Sequence, residues 1–148
     1  MRIIIIIYKN IKELLEKELV VGIGASRDIF NGLVKTDYCE IIDLINSVIA
    51  DYSLSKENKD GFNLLREDYN NGKKDWYVLY TLMCFSFNHQ FRFNSDMKYN
   101  SSFGSIRAYF SDRQKEDLKK MKDRLFDKDV QIISKNFIDI DFDKFSKD

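Results

Sequence analysis

The stretch FSFNHQFRFNSDMKYNSSFG, residues 85–104, organises the rest of this 148-residue chain. It contains two runs in which apolar and polar side chains alternate, Phe91-Arg92-Phe93-Asn94 and Met97-Lys98-Tyr99-Asn100. A period of two is the pattern of a strand with one apolar and one polar face. Because the turn-prone residues 95–96 separate the two runs, the sequence predicts a short β-hairpin over residues 90–100.

The two faces of this hairpin are predicted to have different roles. The apolar face anchors on the body of the protein through Phe91, Phe93, Met97 and Tyr99. The polar face presents Arg92, Asn94, Lys98 and Asn100. Arginine, asparagine and lysine donate hydrogen bonds to phosphates and base edges, so this face is a candidate nucleic-acid interface. A hairpin face that is merely solvated would show the same pattern, and the residues alone leave both interpretations open.

A family resemblance favours the first interpretation. The order Asn88, Arg92, Asn94, Tyr99-Asn100 and Phe103-Gly104 resembles, without a gap, the hairpin signature N-G-x-x-R-x-N-x-x-G-x-F-N-x-P-F-G of the Dam-type (D12 class) DNA adenine-N6 methyltransferases. It departs from that signature at His89, at Gln90, at Met97 in place of the turn glycine and at Ser102 in place of the proline. Residues 62–70 and 77–80 are similar to phage members in particular.

The resemblance implies that residues 52–111 form a target-recognition subdomain. Its partner would be double-stranded DNA or a nucleic-acid-processing protein complex. The residues implied to bind that partner are Asn88, His89, Arg92, Asn94, Lys98, Asn100 and Arg107, with Lys73 and Lys74 adding charge toward phosphates. For a protein partner, the expected anchors are Phe87, Tyr109 and Phe110.

Composition limits the remaining possibilities. The formal net charge is zero and charged residues make up 32% of the chain, so any nucleic-acid contact must come from a local patch. Cys39 and Cys84 lie among apolar residues and are predicted to be buried free thiols in a reducing compartment. The isoleucine run at residues 3–7 is too short to span a membrane and lacks a cleavage site. We therefore expect a cytoplasmic protein with no membrane contact.

The first part of the chain, residues 1–51, is predicted to be methyltransferase-like. Residues 3–7 read as a strand of a parallel sheet, covered on both faces. The resemblance implies a degenerate S-adenosylmethionine site at Lys9, Gly22, Gly24 and Asp37. It also implies a second strand over residues 33–37, ending at Asp37. Asp37 is equally explained as the N-cap of a helix over residues 40–50. We expect no bound cofactor, or at most a vestigial site.

The predicted fold class is α/β, with α+β as the alternative. A partial Rossmann-like parallel sheet would carry an inserted, mainly helical subdomain with the β-hairpin at residues 90–100. That subdomain, residues 52–111, contains helices over residues 60–69 and 76–85. Residues 112–148 return through a helix at 112–126, a strand at 130–133 and a tail.

The function prediction depends on what the sequence lacks. The chemistry of the resembled family lies in an Asp-Pro-Pro-Tyr loop that accepts the target amine, and this chain has no proline. Without that loop, no group orients the amino nitrogen for methyl transfer, so the sequence predicts a non-enzyme. His89 is the only histidine, and no metal site is predicted.

Two functions are therefore considered. The first is a non-catalytic binding protein derived from a Dam-like methyltransferase, phage-type, which inhibits host defence as an anti-restriction or anti-CRISPR protein. The alternative is one half of a split DNA adenine-N6 methyltransferase that needs a second chain for catalysis. A homodimer is a further prediction, because a partial sheet leaves an edge that a second copy could cover.

Overall fold

The computed structural model describes residues 2–7, 25–126 and 131–136, and this part of the chain is mainly helical. The elements follow the order β1 (Arg2–Ile7), α1 (Ala25–Lys35), α2 (Tyr38–Asp51), α3 (Lys59–Asn70), α4 (Trp76–Phe85), α5 (Asp112–Phe126) and β2 (Gln131–Asn136). Two single-turn 3-10 helices, Phe87–His89 and Ser105–Arg107, lie between α4 and α5.

The strands β1 and β2 pair with each other in an antiparallel ladder. Arg2 lies opposite Asn136, and Ile7 lies opposite Gln131. The predicted α/β class with a Rossmann-like parallel sheet is therefore wrong, since the described residues contain no parallel pair and are otherwise helices, turns and isolated bridges. A β-branched run predicts that a strand forms, but it does not specify the direction of its partner.

Helix α4 is the centre of the core, and α1, α2 and α3 all pack against it. Its sequence is apolar on nearly every side, which is the pattern of a helix that is buried all round. The predicted bounds of residues 76–85 are confirmed. Its own side chains Val78, Leu79, Leu82 and Phe85 are buried, together with Ile41 and Ile45 of α2 and Phe62 and Leu65 of α3.

Helix α1 crosses α4 at close range. A Cβ atom built on Gly32 would lie 2.2 Å from Cδ2 of Trp76, so this crossing requires a residue without a side chain. Residues 33–35, which the family resemblance assigns to a second strand, form the last turn of α1 instead. Asp37 is exposed and occupies the N-cap position of α2, where its side chain makes no capping hydrogen bond.

The connections between the helices are held by specific side chains. Asn58 is the N-cap of α3, because its Oδ1 accepts a hydrogen bond from the backbone N–H of Gly61 at 2.9 Å. The ammonium group of Lys122 in α5 donates to the carbonyls of Leu33 at 2.7 Å and Val34 at 3.0 Å. The ammonium group thereby supplies hydrogen-bond partners to two carbonyls of the last turn of α1, and it links α5 to α1.

The two cysteines differ in their environment. Cys84 is fully buried in α4, and burial raises the pKa of its thiol to about 12. Cys39 is exposed, so the prediction that it is buried is wrong. It lies two residues before the buried Ile41, which places it on the opposite side of helix α2. Among the helices described, none combines the length and apolarity needed to cross a membrane.

Candidate nucleic-acid interface

Residues 86–104 leave the end of α4 and return to it as an irregular antiparallel ribbon, here called the 86–104 ribbon. Isolated bridges join Ser86 to Phe103 and Phe93 to Tyr99. Between these bridges, the amide of Asn100 donates to the carbonyl of Arg92 at 3.0 Å. At the base, a Cβ on Gly104 would lie 2.6 Å from the carbonyl oxygen of Ser86, so the close approach of the two arms explains the glycine.

Helix α3 holds the returning arm of the ribbon by its main chain. The side-chain amide of Asn70 donates from Nδ2 to the carbonyl of Tyr99 at 3.0 Å and accepts from the amide of Tyr99 at 2.8 Å. The guanidinium of Arg66 donates to the carbonyl of Ser101 at 3.0 Å. Asn70 thus pairs with the ribbon as a neighbouring strand would, and the arm is fixed to the helix.

Tyr99 is the buried centre of the ribbon, with 1% of its surface exposed. Its ring packs edge-on against Phe93 at 5.5 Å and against Tyr69 of α3 at 6.4 Å, measured between centroids. Its hydroxyl donates to the carbonyl of Gln90 at 2.8 Å. Burial raises the pKa of Tyr99, which therefore stays a neutral donor. The partly buried Phe91 contacts Phe93 and completes this aromatic cluster.

Met97 does not belong to the apolar face, contrary to the prediction. It is 52% exposed and lies in the turn with φ of 59°, the left-handed region that favours glycine. Asn94 builds this turn, because its Oδ1 accepts from the amides of Asp96 at 3.0 Å and Lys98 at 2.9 Å. The alternation of apolar and polar residues continues through the turn, but the extended backbone conformation ends there, so Met97 does not lie on the apolar face.

We expect Met97→Gly to stabilise the protein. The left-handed conformation costs an L-residue about 1–2 kcal/mol, and glycine removes this cost. Glycine also loses more conformational entropy on folding, which offsets part of the gain and leaves a net stabilisation of about 0.5–1 kcal/mol. Urea unfolding measures it. Asp96→Gly in the same turn is the control: φ of Asp96 is not positive, so this change should destabilise. Equal effects of the two changes would show that backbone strain at Met97 is not the cause.

The predicted polar face is organised as two pairs. Nε of Arg92 donates to Oδ1 of Asn100 at 3.0 Å, and its Nη2 donates to the carbonyl of Asn100 at 3.3 Å. The side-chain oxygen of Asn94 accepts from the main-chain amide of Lys98 in the turn. The side chain of Lys98 takes no part in this bond and is exposed. Arg92 and Lys98 are therefore the outward donors, while Asn94 and Asn100 hold them in place.

The remaining predicted contact residues lie at the base of the ribbon. Asn88 and His89 are exposed in the first 3-10 helix, both with positive φ. Arg107 is exposed in the second 3-10 helix, which contacts the first one. The amide of Phe87, donating to the carbonyl of Ser102 at 2.8 Å, keeps the arms that carry them together.

The aromatic residues predicted as protein anchors fall into two classes. Phe87 and Tyr109 are 50% and 43% exposed. Phe110 is half-buried, because its ring packs perpendicular to that of Tyr80 at 6.4 Å and lies below the ammonium of Lys115. Phe110 is thus part of the packing between α4 and α5 and is not a free anchor.

Only one of the four predicted cofactor residues, Asp37, lies in the described part of the chain. Lys9, Gly22 and Gly24 lie outside the described residues. Asp37 follows a helix and not a strand, so the implied position at a strand end is wrong for this residue. Within residues 2–7, 25–126 and 131–136, no three histidine, cysteine or carboxylate side chains cluster in a way that could hold a metal ion.

The sequence is similar to parts of known methyltransferases, although no family model matches it. Over 120 residues, 81% of the chain, it is 38% identical to the Type II methyltransferase M.FokI of Planomicrobium okeanokoites. Its relatives are methyltransferases. The others include the modification methylases StsI of Streptococcus sanguinis, at 34% identity over 70% of the chain, and LlaI of Lactococcus lactis subsp. lactis, at 40% over 49%.

The chain corresponds to a small part of each relative. It covers 18% of M.FokI, 16% of StsI and 12% of LlaI, less than a fifth of their length. The resemblance to a methyltransferase is confirmed at this level, whereas the Dam type and the phage source stay predictions.

The prediction of a non-enzyme is wrong. The relatives are named as methyltransferases or methylases. Because this chain matches less than a fifth of each relative, the absence of the Asp-Pro-Pro-Tyr loop from it does not establish that catalysis is lost.

Proposed function

We propose that this chain supplies target recognition to a DNA adenine-N6 methyltransferase and binds duplex DNA through the 86–104 ribbon. The Asp-Pro-Pro-Tyr loop of such an enzyme would come from sequence outside these 148 residues, in the same polypeptide or in a second chain. S-adenosylmethionine is the methyl donor that this function implies. The observation that carries the proposal is the Arg92–Asn100 pair on a ribbon fixed to α3.

The Arg92–Asn100 pair supports base recognition for a geometric reason. A two-stranded ribbon fits the major groove of B-DNA, where arginine donates two parallel hydrogen bonds to O6 and N7 of guanine. Asn100 accepts from Nε at 3.0 Å and from Nη2 at 3.3 Å, and the remaining N–H groups of Nη1 and Nη2 have the end-on geometry that such a contact needs. Because the side chain is oriented before binding, less conformational entropy is lost on complex formation.

The base of the ribbon supports contacts to the DNA backbone. Arg107 is exposed on the second 3-10 helix, beside the helix that carries Asn88 and His89. Charged and amide side chains of this kind contact phosphate and sugar and fix the orientation of the protein on the duplex. The proposed division is therefore base readout from the ribbon and positioning from its base.

Arg92→Ala tests this placement. A bidentate arginine–guanine contact is worth about 1–3 kcal/mol of discrimination, roughly five- to 150-fold in relative affinity. We expect selection from a duplex pool randomised at its centre to enrich one short sequence with the wild type, and the variant to lose the preference at one base pair. Sequencing of the bound fraction measures both results.

Arg113→Ala, at an exposed position near the start of α5, is the matched control and should preserve the enriched sequence. If Arg92→Ala binds and selects as the wild type does, the ribbon is not the reading surface. If the wild type binds no duplex but retains a host nuclease or defence complex, the anti-restriction or anti-CRISPR interpretation replaces DNA recognition.

A further inference from the structure

Two lysines from separate segments, Lys74 and Lys98, lie at the joint between the 86–104 ribbon and α3. Lys74 lies in the connection between α3 and α4, and its ammonium lies 4.2 Å from the centroid of the Tyr69 ring. The same ring packs against Tyr99, the residue that follows Lys98. Because Asn70 fixes the backbone of Tyr99 through two hydrogen bonds, the positions of the two lysines are set by the same joint.

Lys74 and Lys98 are both exposed lysines at this joint. In the described part of the chain, no carboxylate forms an ion pair with either of them. Partial burial, followed by the positive charge of Lys98, lowers the pKa of Lys74. Two cations held together repel each other, and an anion that contacts both removes that repulsion.

Lys73, the preceding residue, has partners of its own. Its ammonium donates to the hydroxyl of Tyr52 at 3.1 Å, and that hydroxyl donates to the carboxylate of Asp68. The hydrogen bond to Tyr52 is the main cause that raises the pKa of Lys73, with the nearby carboxylates adding to it. The sequence presents Lys73 and Lys74 as equivalent charges, but in the structure the ammonium of Lys73 is bonded to Tyr52, whereas that of Lys74 lies over Tyr69 at the joint with the ribbon.

We propose that Lys74 and Lys98 together bind a backbone phosphate of duplex DNA. This site deepens the proposed function and depends on it. A lysine ammonium is a compact charge with rotatable donors and contacts phosphate without reading sequence. Bound at the joint between ribbon and helix, the phosphate would fix the position of the duplex relative to Arg92.

The test is the salt dependence of binding to fluorescent duplexes, measured by anisotropy. Each lost phosphate contact reduces the magnitude of the negative slope of log K against log salt by about 0.9–1. It also weakens binding to the cognate and the scrambled duplex by the same factor. Because the two lysines share one phosphate, we expect the magnitude of the slope to fall by up to about 0.9–1 in Lys74→Gln and in Lys98→Gln. Lys73→Gln is the neighbouring control and Lys119→Gln, on the exposed face of α5, the distant one. Both should retain the wild-type slope.

The outcomes separate this site from the proposed function. Wild-type binding with unchanged slopes in Lys74→Gln and Lys98→Gln overturns the phosphate site alone. So does a loss confined to the cognate duplex, which would indicate a base contact. Failure of the wild type to bind any duplex overturns the proposed function and the site with it. Lys74→Arg preserves charge and should preserve the slope, which distinguishes lost charge from altered folding.

Discussion

Replacing Phe62 by alanine is expected to lower the free energy of unfolding by about 3–5 kcal/mol. Phe62 has no exposed surface, and its ring lies 5.5 Å from that of Phe103 at the base of the ribbon. The guanidinium of Arg66, which also holds the ribbon, lies 5.7 Å from the same ring. The truncation therefore leaves a cavity between helix α3 and the ribbon, and the lost contacts add to the lost burial.

Urea unfolding followed by circular dichroism measures this change. Leu64→Ala is the matched control, because Leu64 is on the same helix but 53% exposed. Its effect should stay within about 0.5 kcal/mol, as is usual for surface positions. If the two variants lose equal stability, the described packing around Phe62 does not determine the stability of the fold.

The second large effect is expected for Asn70→Ala, at about 2–3 kcal/mol, since both main-chain groups of the buried Tyr99 lose their partner. Of the described hydrogen bonds between α3 and the returning arm, the one from Arg66 to the carbonyl of Ser101 then remains. We expect the amide of Tyr99 to lose protection from hydrogen exchange, and duplex binding to weaken because the ribbon is no longer fixed. Unfolding, exchange and binding measurements check the three consequences.

Two variants make the result specific. Asn71→Ala changes the next residue, which is exposed at the end of α3, and should have little effect on exchange at Tyr99. Asn70→Asp retains an acceptor for the amide of Tyr99 but places a second oxygen against its carbonyl, so the hydrogen bond at 3.0 Å is lost. Full protection of the Tyr99 amide in Asn70→Ala would contradict the role given to this side chain.

The helices were the most predictable part of the fold. The bounds at residues 76–85 and 112–126 agree with α4 and α5, because an all-apolar helix and a charged amphipathic helix have unmistakable patterns. The prediction failed where it relied on resemblance for local structure: residues 33–35 are helical. It also failed for the parallel sheet, because the pairing of β1 with β2 is a contact between distant parts of the chain.

The candidate site could be predicted only in part for the same reason. Its location at residues 90–100 follows from local alternation and turn residues. Which side chains are free is decided by contacts: Asn94 serves the turn and Asn100 serves Arg92. The anchors Asn70 and Arg66 are 29 and 35 residues away from their partners, and no local pattern indicates them.

The grip of helix α3 on the ribbon has an evolutionary consequence. Asn70 and Arg66 contact the main-chain N–H and carbonyl of residue 99 and the carbonyl of residue 101, which every amino acid except proline provides. Outward positions such as Arg92 and Lys98 can therefore be substituted without loss of the hydrogen bonds that fix the ribbon to α3. If the ribbon reads DNA as proposed, point substitutions at the outward positions alone would change the sequence it recognises and leave its attachment to α3 unchanged.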